Sequence, residues 1–204
     1  MSHVHEEPHA SAHESSAGAA NRVKSLVAAL EAASVLTERQ LDEAIESFLA
    51  HAQPANGARI VARAWVDPGF RERLLADGNA AAAELGIDLA HWAPVRLRVV
   101  ANGPGRHNLI VCTLCSCYPL ALLGPSPTWY KSEAYRSQAV RDPRGILAEF
   151  GTHVGADVEI TVWDSTAEVR YLVLPERPAG TELLSEAELE ALVTRNGLIG
   201  TALV

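Results

Sequence analysis

The chain has three cysteines in 204 residues, and all of them fall in the segment Val111-Cys112-Thr113-Leu114-Cys115-Ser116-Cys117-Tyr118. Sulfurs this close along the chain cannot staple distant loops into a disulfide framework, so they are read as one site. The Cys-x-x-Cys-x-Cys spacing lets three thiolates converge on a single soft or borderline metal ion at ~2.3 Å each. A structural zinc calls for a fourth ligand, and neither His107 nor His153 stands at a recognised zinc-site spacing from the cysteines. Iron–sulfur ligation normally calls for a fourth cysteine, and there is none. One cysteine acting as a nucleophile beside a His base leaves two sulfurs without a role. Three reduced core cysteines sit poorly in so polar a turn. A metal held by three sulfurs and by groups other than side chains is the economical reading, and the nearest such groups are the peptide nitrogens of the turn.

Length and composition say what surrounds this site. A chain of 204 residues fits one medium domain plus an extension, and 48% apolar residues with a mean hydropathy near zero indicate a folded globular protein. The net charge of −8 argues against nucleic acid or an anionic membrane as main partner, since both are bound through clustered Lys and Arg. No apolar run reaches ~18 residues and the amino terminus has no signal-like core, so a cytoplasmic location is expected.

Residues 1–20 hold almost no large apolar side chain and are expected to form a disordered tail. Its His3, His5, His9 and His13 offer loose metal binding at most, for they lack a packed surround. A helical arm is expected over 21–52: Val23, Leu26, Val27 and Leu30 recur at helical spacing, and Thr37 with Gln40 forms a capping box before Leu41, Ile45, Phe48 and Leu49. The arm is a candidate for embracing another chain. Gln53-Pro54-Ala55-Asn56-Gly57 reads as the join to a domain over 57–204.

Within that domain three short helices are expected between Ala58 and Gly86, the second capped by Asp67 with Pro68 in its first turn. Val95, Leu97 and Val99 alternate with Arg96 and Arg98 as in a half-buried strand, and Leu109-Ile110-Val111 reads as a fully buried one, so the cysteines leave a strand end. The prolines between Pro119 and Pro127 exclude regular helix or central strand there. Helices are expected at 132–140 and 143–150, a β-hairpin from 157–164 and 167–174, a helix capped by Ser185 and Glu188, and a closing strand at 198–204. His107 is expected at a strand edge rather than on a metal. Arg170 and Arg177 are equally suited to internal ion pairs or to a partner contact near the metal. Trp129 and Tyr130 are packing residues or a pocket border. The fold class is α+β or mixed α/β, with a helical arm and a layered α-β-β-α-like metal-binding domain.

Beyond spacing, the run Val111-Cys112-Thr113-Leu114-Cys115-Ser116-Cys117-Tyr118-Pro119 resembles the metal-binding signature of nitrile hydratase α subunits. The resemblance extends to Gly57-Ala58-Arg59-Ile60-Val61-Ala62-Arg63-Ala64-Trp65-Val66-Asp67-Pro68, Trp129-Tyr130-Lys131, Val140-Arg141-Asp142-Pro143-Arg144 and Leu174-Pro175-Glu176-Arg177-Pro178, in family order. It implies a metal bound by the sulfurs of Cys112, Cys115 and Cys117 and by the deprotonated backbone nitrogens of Ser116 and Cys117. It also implies Cys115 as sulfinic and Cys117 as sulfenic acid, with Cys115, Ser116 and Cys117 forming the reacting end. Thr113 resembles the residue of cobalt members, so non-corrin Co(III) is expected ahead of Fe(III). The implied reaction is hydration of a small-molecule nitrile to its amide, with a β-type partner subunit and a cobalt-loading activator protein.

Some positions depart from that pattern. The stretch 87–98 lacks the glutamine usual before the first cysteine, Leu120-Ala121 replaces a Trp-Pro pair, and Pro125-Ser126-Pro127 replaces a Leu-Pro-Pro run. Smaller side chains near the metal imply a wider pocket and a bulky nitrile. Two relatives share the signature, thiocyanate hydrolase through its γ subunit and the toyocamycin nitrile hydratase. A thiocyanate hydrolase subunit and a non-catalytic metal-binding protein are the competing readings.

Overall fold

The structure is a computed structural model that describes residues 9–89, 95–115 and 117–204, and the side chains of all of these except 9–17. The expected site residue Ser116, part of the 87–98 stretch, and His3 and His5 of the tail lie outside the described residues. The chain divides into two compact units, one ending at Ala50 and the other His51–Val204.

The first unit holds α1 (His9–Ala32) and α2 (Glu38–His51). From His9 on, α1 occupies the segment expected to be a tail, where Ala10, Ala12, Ala17, Ala19 and Ala20 supply the strongest intrinsic helix preference. The chain leaves α1 through Ser34 at φ 55°. It enters α2 through the expected capping box: the Gln40 amide donates to Thr37 Oγ1, and Gln40 Oε1 accepts the Thr37 amide at 2.8 Å. Val23, Leu26, Ile45 and Leu49 are exposed, and α2 has no buried residue.

The second unit opens with α3 (Pro54–Val66), α4 (Pro68–Ala76) and α5 (Gly78–Glu84). The expected join at 53–57 is instead the first turn of α3, because Pro54 sits at a position whose missing N–H costs the helix nothing. Asp67 ends α3 and caps α4 by accepting from Phe70 N, and Asp77 does the same between α4 and α5. Strands β1 (Arg96–Ala101) and β2 (Arg106–Val111) follow. Then come α6 (Leu120–Leu123), a 3-10 turn at Thr128–Lys131, α7 (Glu133–Arg141) and α8 (Pro143–Glu149). One helical turn thus fits between the prolines that were expected to exclude helix. Strands β3 (Glu159–Asp164) and β4 (Val169–Leu174) and helices α9 (Glu186–Leu192) and α10 (Arg195–Ile199) complete the unit.

The expected β-hairpin does not form. β3 pairs in parallel with β2, and β4 pairs in parallel with β1, giving two two-stranded sheets. The connection 165–168 holds no glycine or asparagine to turn a tight hairpin. Ser165 N donates to Val111 O at 2.8 Å instead, which continues the β2–β3 ladder, and Thr166 then folds the chain over toward β1. Helices α4 and α5 pack on β1, the two sheets face each other, and α7 and α8 cover β2 and β3. This is the expected α-β-β-α order, with a core that includes Ile60, Phe70, Leu74, Leu109, Ile110, Leu147, Leu172 and Leu174.

The closing strand expected over 198–204 is likewise replaced. Thr194 caps α10 at Gly197 N, and Gly200 ends it in the left-handed region at φ 91°. A Cβ at Gly200 would stand 2.0 Å from Asn108 O, so only glycine lets this turn approach β2.

Candidate metal centre

β2 is the element that aims the site. It runs buried from His107 through Val111 and delivers Cys112 directly into the bend that follows. Cys112 and Cys117 are buried and Cys115 is exposed. The three Sγ atoms lie within 4.8 Å of one another, and among the described residues no His, Asp or Glu joins them. None of the three forms a disulfide.

The separations test whether a metal fits. Cys112 Sγ stands 3.5 Å from Cys115 Sγ, which stands 3.1 Å from Cys117 Sγ. Two sulfurs each ~2.3 Å from one ion would be roughly 3.3 Å apart at a right angle and roughly 3.8 Å apart in a tetrahedron. The 3.1 Å separation suits neighbouring corners of a square or octahedral set better than the tetrahedron of structural zinc, and 3.5 Å lies between the two. Without a cation the pocket disfavours charge: burial, reinforced by the Cys115 contact, pushes the Cys117 thiol up to about 12, against an opposing pull from Arg170.

The bend is held from four sides. Tyr135 OH donates to Ile110 O at 2.6 Å and Tyr130 OH donates to Cys117 O at 3.0 Å, which fixes the points where the chain enters and leaves it. Asp164, at the end of β3, accepts both the Thr113 amide at 2.9 Å and the Thr113 hydroxyl at 2.5 Å. Arg136 Nη1 donates to Thr113 O at 3.4 Å and to Cys115 O at 3.2 Å. Sequence reasoning missed Tyr135, Arg136 and Asp164. They stand 21 to 51 residues along the chain from the groups they hold, and only the fold brings them there.

Other expected residues sort clearly. Trp129 packs edge-on against Tyr135 and Phe150 at 4.8 and 4.6 Å between ring centres, and Tyr130 is fully buried. Both are packing residues, and Tyr130 is also a clamp. Arg170 faces Cys117 electrostatically and is anchored on Thr166 O. Arg177 instead holds Thr181 and Trp65 O, away from the cysteines. His107 is a buried core histidine rather than an edge residue: its Nε2 meets Gly200 O at 2.7 Å, and burial holds its pKa below the usual histidine range. Leu120, one of the two residues that replace the Trp-Pro pair of the family pattern, opens α6 and stays 37% exposed.

Comparison with known proteins gives a consistent picture. The family model described as nitrile hydratase, alpha chain, matches residues 17–202. The low-molecular weight cobalt-containing nitrile hydratase subunit alpha of Rhodococcus rhodochrous is 49% identical over 183 residues, covering 90% of this chain and 87% of that one. Thiocyanate hydrolase subunit gamma of Thiobacillus thioparus is 43% identical over 158 residues, covering 73% of this chain and 65% of that one. Among solved structures, a double mutant of the Fe-type nitrile hydratase of Comamonas testosteroni Ni1 superposes with a TM-score of 0.86 at 38% identity, covering 92% and 90% of the two chains.

Proposed function

Because the chain belongs to the nitrile hydratase α-chain family, we propose that it is the metal-carrying α-type subunit of a cobalt nitrile hydratase, which adds water to a nitrile to give the amide. The observation that carries this reading is the convergence of Cys112, Cys115 and Cys117 at the end of a buried strand, with sulfur spacings that suit neighbouring corners of one metal's shell. The three sulfurs and the nitrogens of Ser116 and Cys117 would hold the ion, with Cys115 as sulfinic and Cys117 as sulfenic acid. Cobalt ahead of iron is supported by the cobalt-containing relative and by Thr113. When bound, the metal supplies Lewis acidity that polarises the nitrile or makes water nucleophilic at neutral pH.

The chain's own residues do the rest. Cys117 meets the nitrile carbon directly or through a water that it activates. Asp164, Tyr130 and Tyr135 keep the bend in one conformation, which is what a precise donor set requires. The small side chains at Leu120-Ala121 leave room for a bulky nitrile.

A β-type subunit is the expected partner, with the exposed apolar residues of α1 and α2 as a contact surface for it, and an activator protein is expected to load cobalt. No helix among the described residues is long and apolar enough to cross a membrane, and a cytoplasmic location is part of this proposal.

The test is mass spectrometry of the Cys112–Tyr118 peptide together with elemental analysis of the protein produced with partner and loading protein. Two added oxygens on Cys115 and one on Cys117, with cobalt, support the reading. Three plain thiols around stoichiometric zinc overturn it. The similarity to thiocyanate hydrolase gives one competing outcome, release of ammonia and carbonyl sulfide from thiocyanate in place of amide from a nitrile. A cobalt-loaded complex inert toward both would be a metal-binding protein without the chemistry.

A further inference from the structure

Arg136 is the one charged donor among the groups described above that hold the cysteine bend. Tyr130 and Tyr135 clamp the ends of the bend with neutral hydroxyls, which suffices for geometry alone. Arg136 projects from α7, and its Nη1 lies 3.2 Å from Cys115 O and 3.4 Å from Thr113 O. The Nε of the same guanidinium is buried and makes no hydrogen bond. Among the described residues no salt bridge engages it. A guanidinium aimed at two backbone carbonyls and matched to no carboxylate is well placed to answer negative charge that accumulates on those oxygens.

The carbonyl of Cys115 and the nitrogen of Ser116 belong to a single peptide group and share its delocalised electrons. A peptide nitrogen that binds a metal as an anion therefore places part of its charge on that carbonyl oxygen. We propose that Arg136 is a positioning residue of the metal centre, whose guanidinium compensates this charge through Cys115 O while fixing the bend through Thr113 O. The assignment rests on the metal-centre reading above, in which the Ser116 nitrogen is a ligand. It also explains why an arginine stands here. One thiolate, one sulfinate and two anionic nitrogens already carry more negative charge than a trivalent ion cancels, and a cation beside the ligand peptide offsets the remainder without touching the metal.

The test compares the chain produced with its β-type partner and cobalt loading as wild type, Arg136→Gln, Arg136→Lys and Arg141→Gln. Arg141 is an exposed arginine on the same helix and controls for loss of a positive charge. Cobalt per chain is measured at limiting cobalt, and the sulfur-to-cobalt absorption band is recorded on the loaded fraction. Arg136→Gln is expected to lower cobalt content by ~10–100-fold, the usual effect of removing a group that supports a ligand. Its remaining band should be shifted, because the peptide nitrogen becomes a stronger donor once its carbonyl loses the cation. Arg136→Lys should recover most of the cobalt and part of the shift, and Arg141→Gln should match wild type in both.

Wild-type cobalt content and an unshifted band in Arg136→Gln overturn the assignment, while leaving the metal-centre reading intact if wild type holds cobalt and its oxidised cysteines. Wild type without cobalt overturns that reading and this assignment with it. Should Arg136→Gln fail to fold, Arg136→Ala takes its place with the same readouts: lowered cobalt content and a shifted band sustain the role, and wild-type values of both remove it.

Discussion

The two ends of β2 carry similar kinds of residue and differ in how they are satisfied. At its start, His107 and Asn108 are buried, but every polar contact closes within the chain: His107 Nε2 on Gly200 O, Asn108 N on Asn102 Oδ1, Asn108 Nδ2 on Ala101 O. At its far end three sulfurs converge on one another, with Cys115 N donating to Cys112 Sγ. His107, Asn108, Cys112 and Cys117 are all buried, so burial alone does not distinguish a structural cluster from a reactive one. What distinguishes them is whether the donors and acceptors already balance. The first end is complete as protein, whereas the second, on the reading proposed above, is completed by a metal ion.

Substitutions at the two ends should separate along that line. The largest effect is expected from Cys117→Ser, which should abolish amide formation by the cobalt-loaded complex while leaving the thermal midpoint near wild type. Full activity with cobalt bound would break the comparison at its reactive end. Next, Gly200→Ala should destabilise the fold by about 3 kcal/mol or more, since it adds a clash with Asn108 O to an unfavourable left-handed conformation. Denaturant midpoints measure this, and wild-type stability would show that the close approach at the quiet end is dispensable.

Asp164→Asn keeps the side chain's shape but removes the charge that receives both Thr113 donors. It should reduce cobalt content by ~10-fold and cost about 1–2 kcal/mol, so elemental analysis should move more than melting does. The smallest effect is at His107. Burial favours its neutral ring in the folded chain, whereas the unfolded chain takes up a proton near the ordinary ~6.5. Its contribution is therefore fully present above that pH and is lost as pH falls below it. His107→Gln should shrink the drop in melting temperature between pH 7 and pH 5 relative to wild type, with cobalt content unchanged. An unaltered drop would show that the ring does not report on its burial.

The reactive end was legible in the sequence because its chemistry is contiguous: three cysteines within six residues need no fold to be recognised as one site. Helix starts were legible for a similar reason, since Thr37, Asp67 and Ser185 each bond to a backbone amide within three residues. Strand partnership was not. The alternation in 157–164 and 167–174 marks two strands truthfully, but says nothing of which neighbour each will take, and a short polar connection looked like a hairpin turn. The closing segment 198–204 misled through its apolar residues: Leu198 and Ile199 are buried at the end of α10, which Gly200 closes, while Leu203 stays exposed. Tyr135, Arg136 and Asp164 stayed hidden as supports of the bend because their meaning comes only from long-range contact.

The crosswise pairing of the strands also sets a schedule. β2 cannot find its hydrogen-bonding neighbour until β3 exists, and the carboxylate that grips Thr113 lies 51 residues after it. β1 waits longer still, for β4. During synthesis the three thiols therefore emerge well before their walls, and such non-local pairings form slowly. Until Leu174 has been added, the bend stands without the complete strand framework that surrounds it in the finished fold.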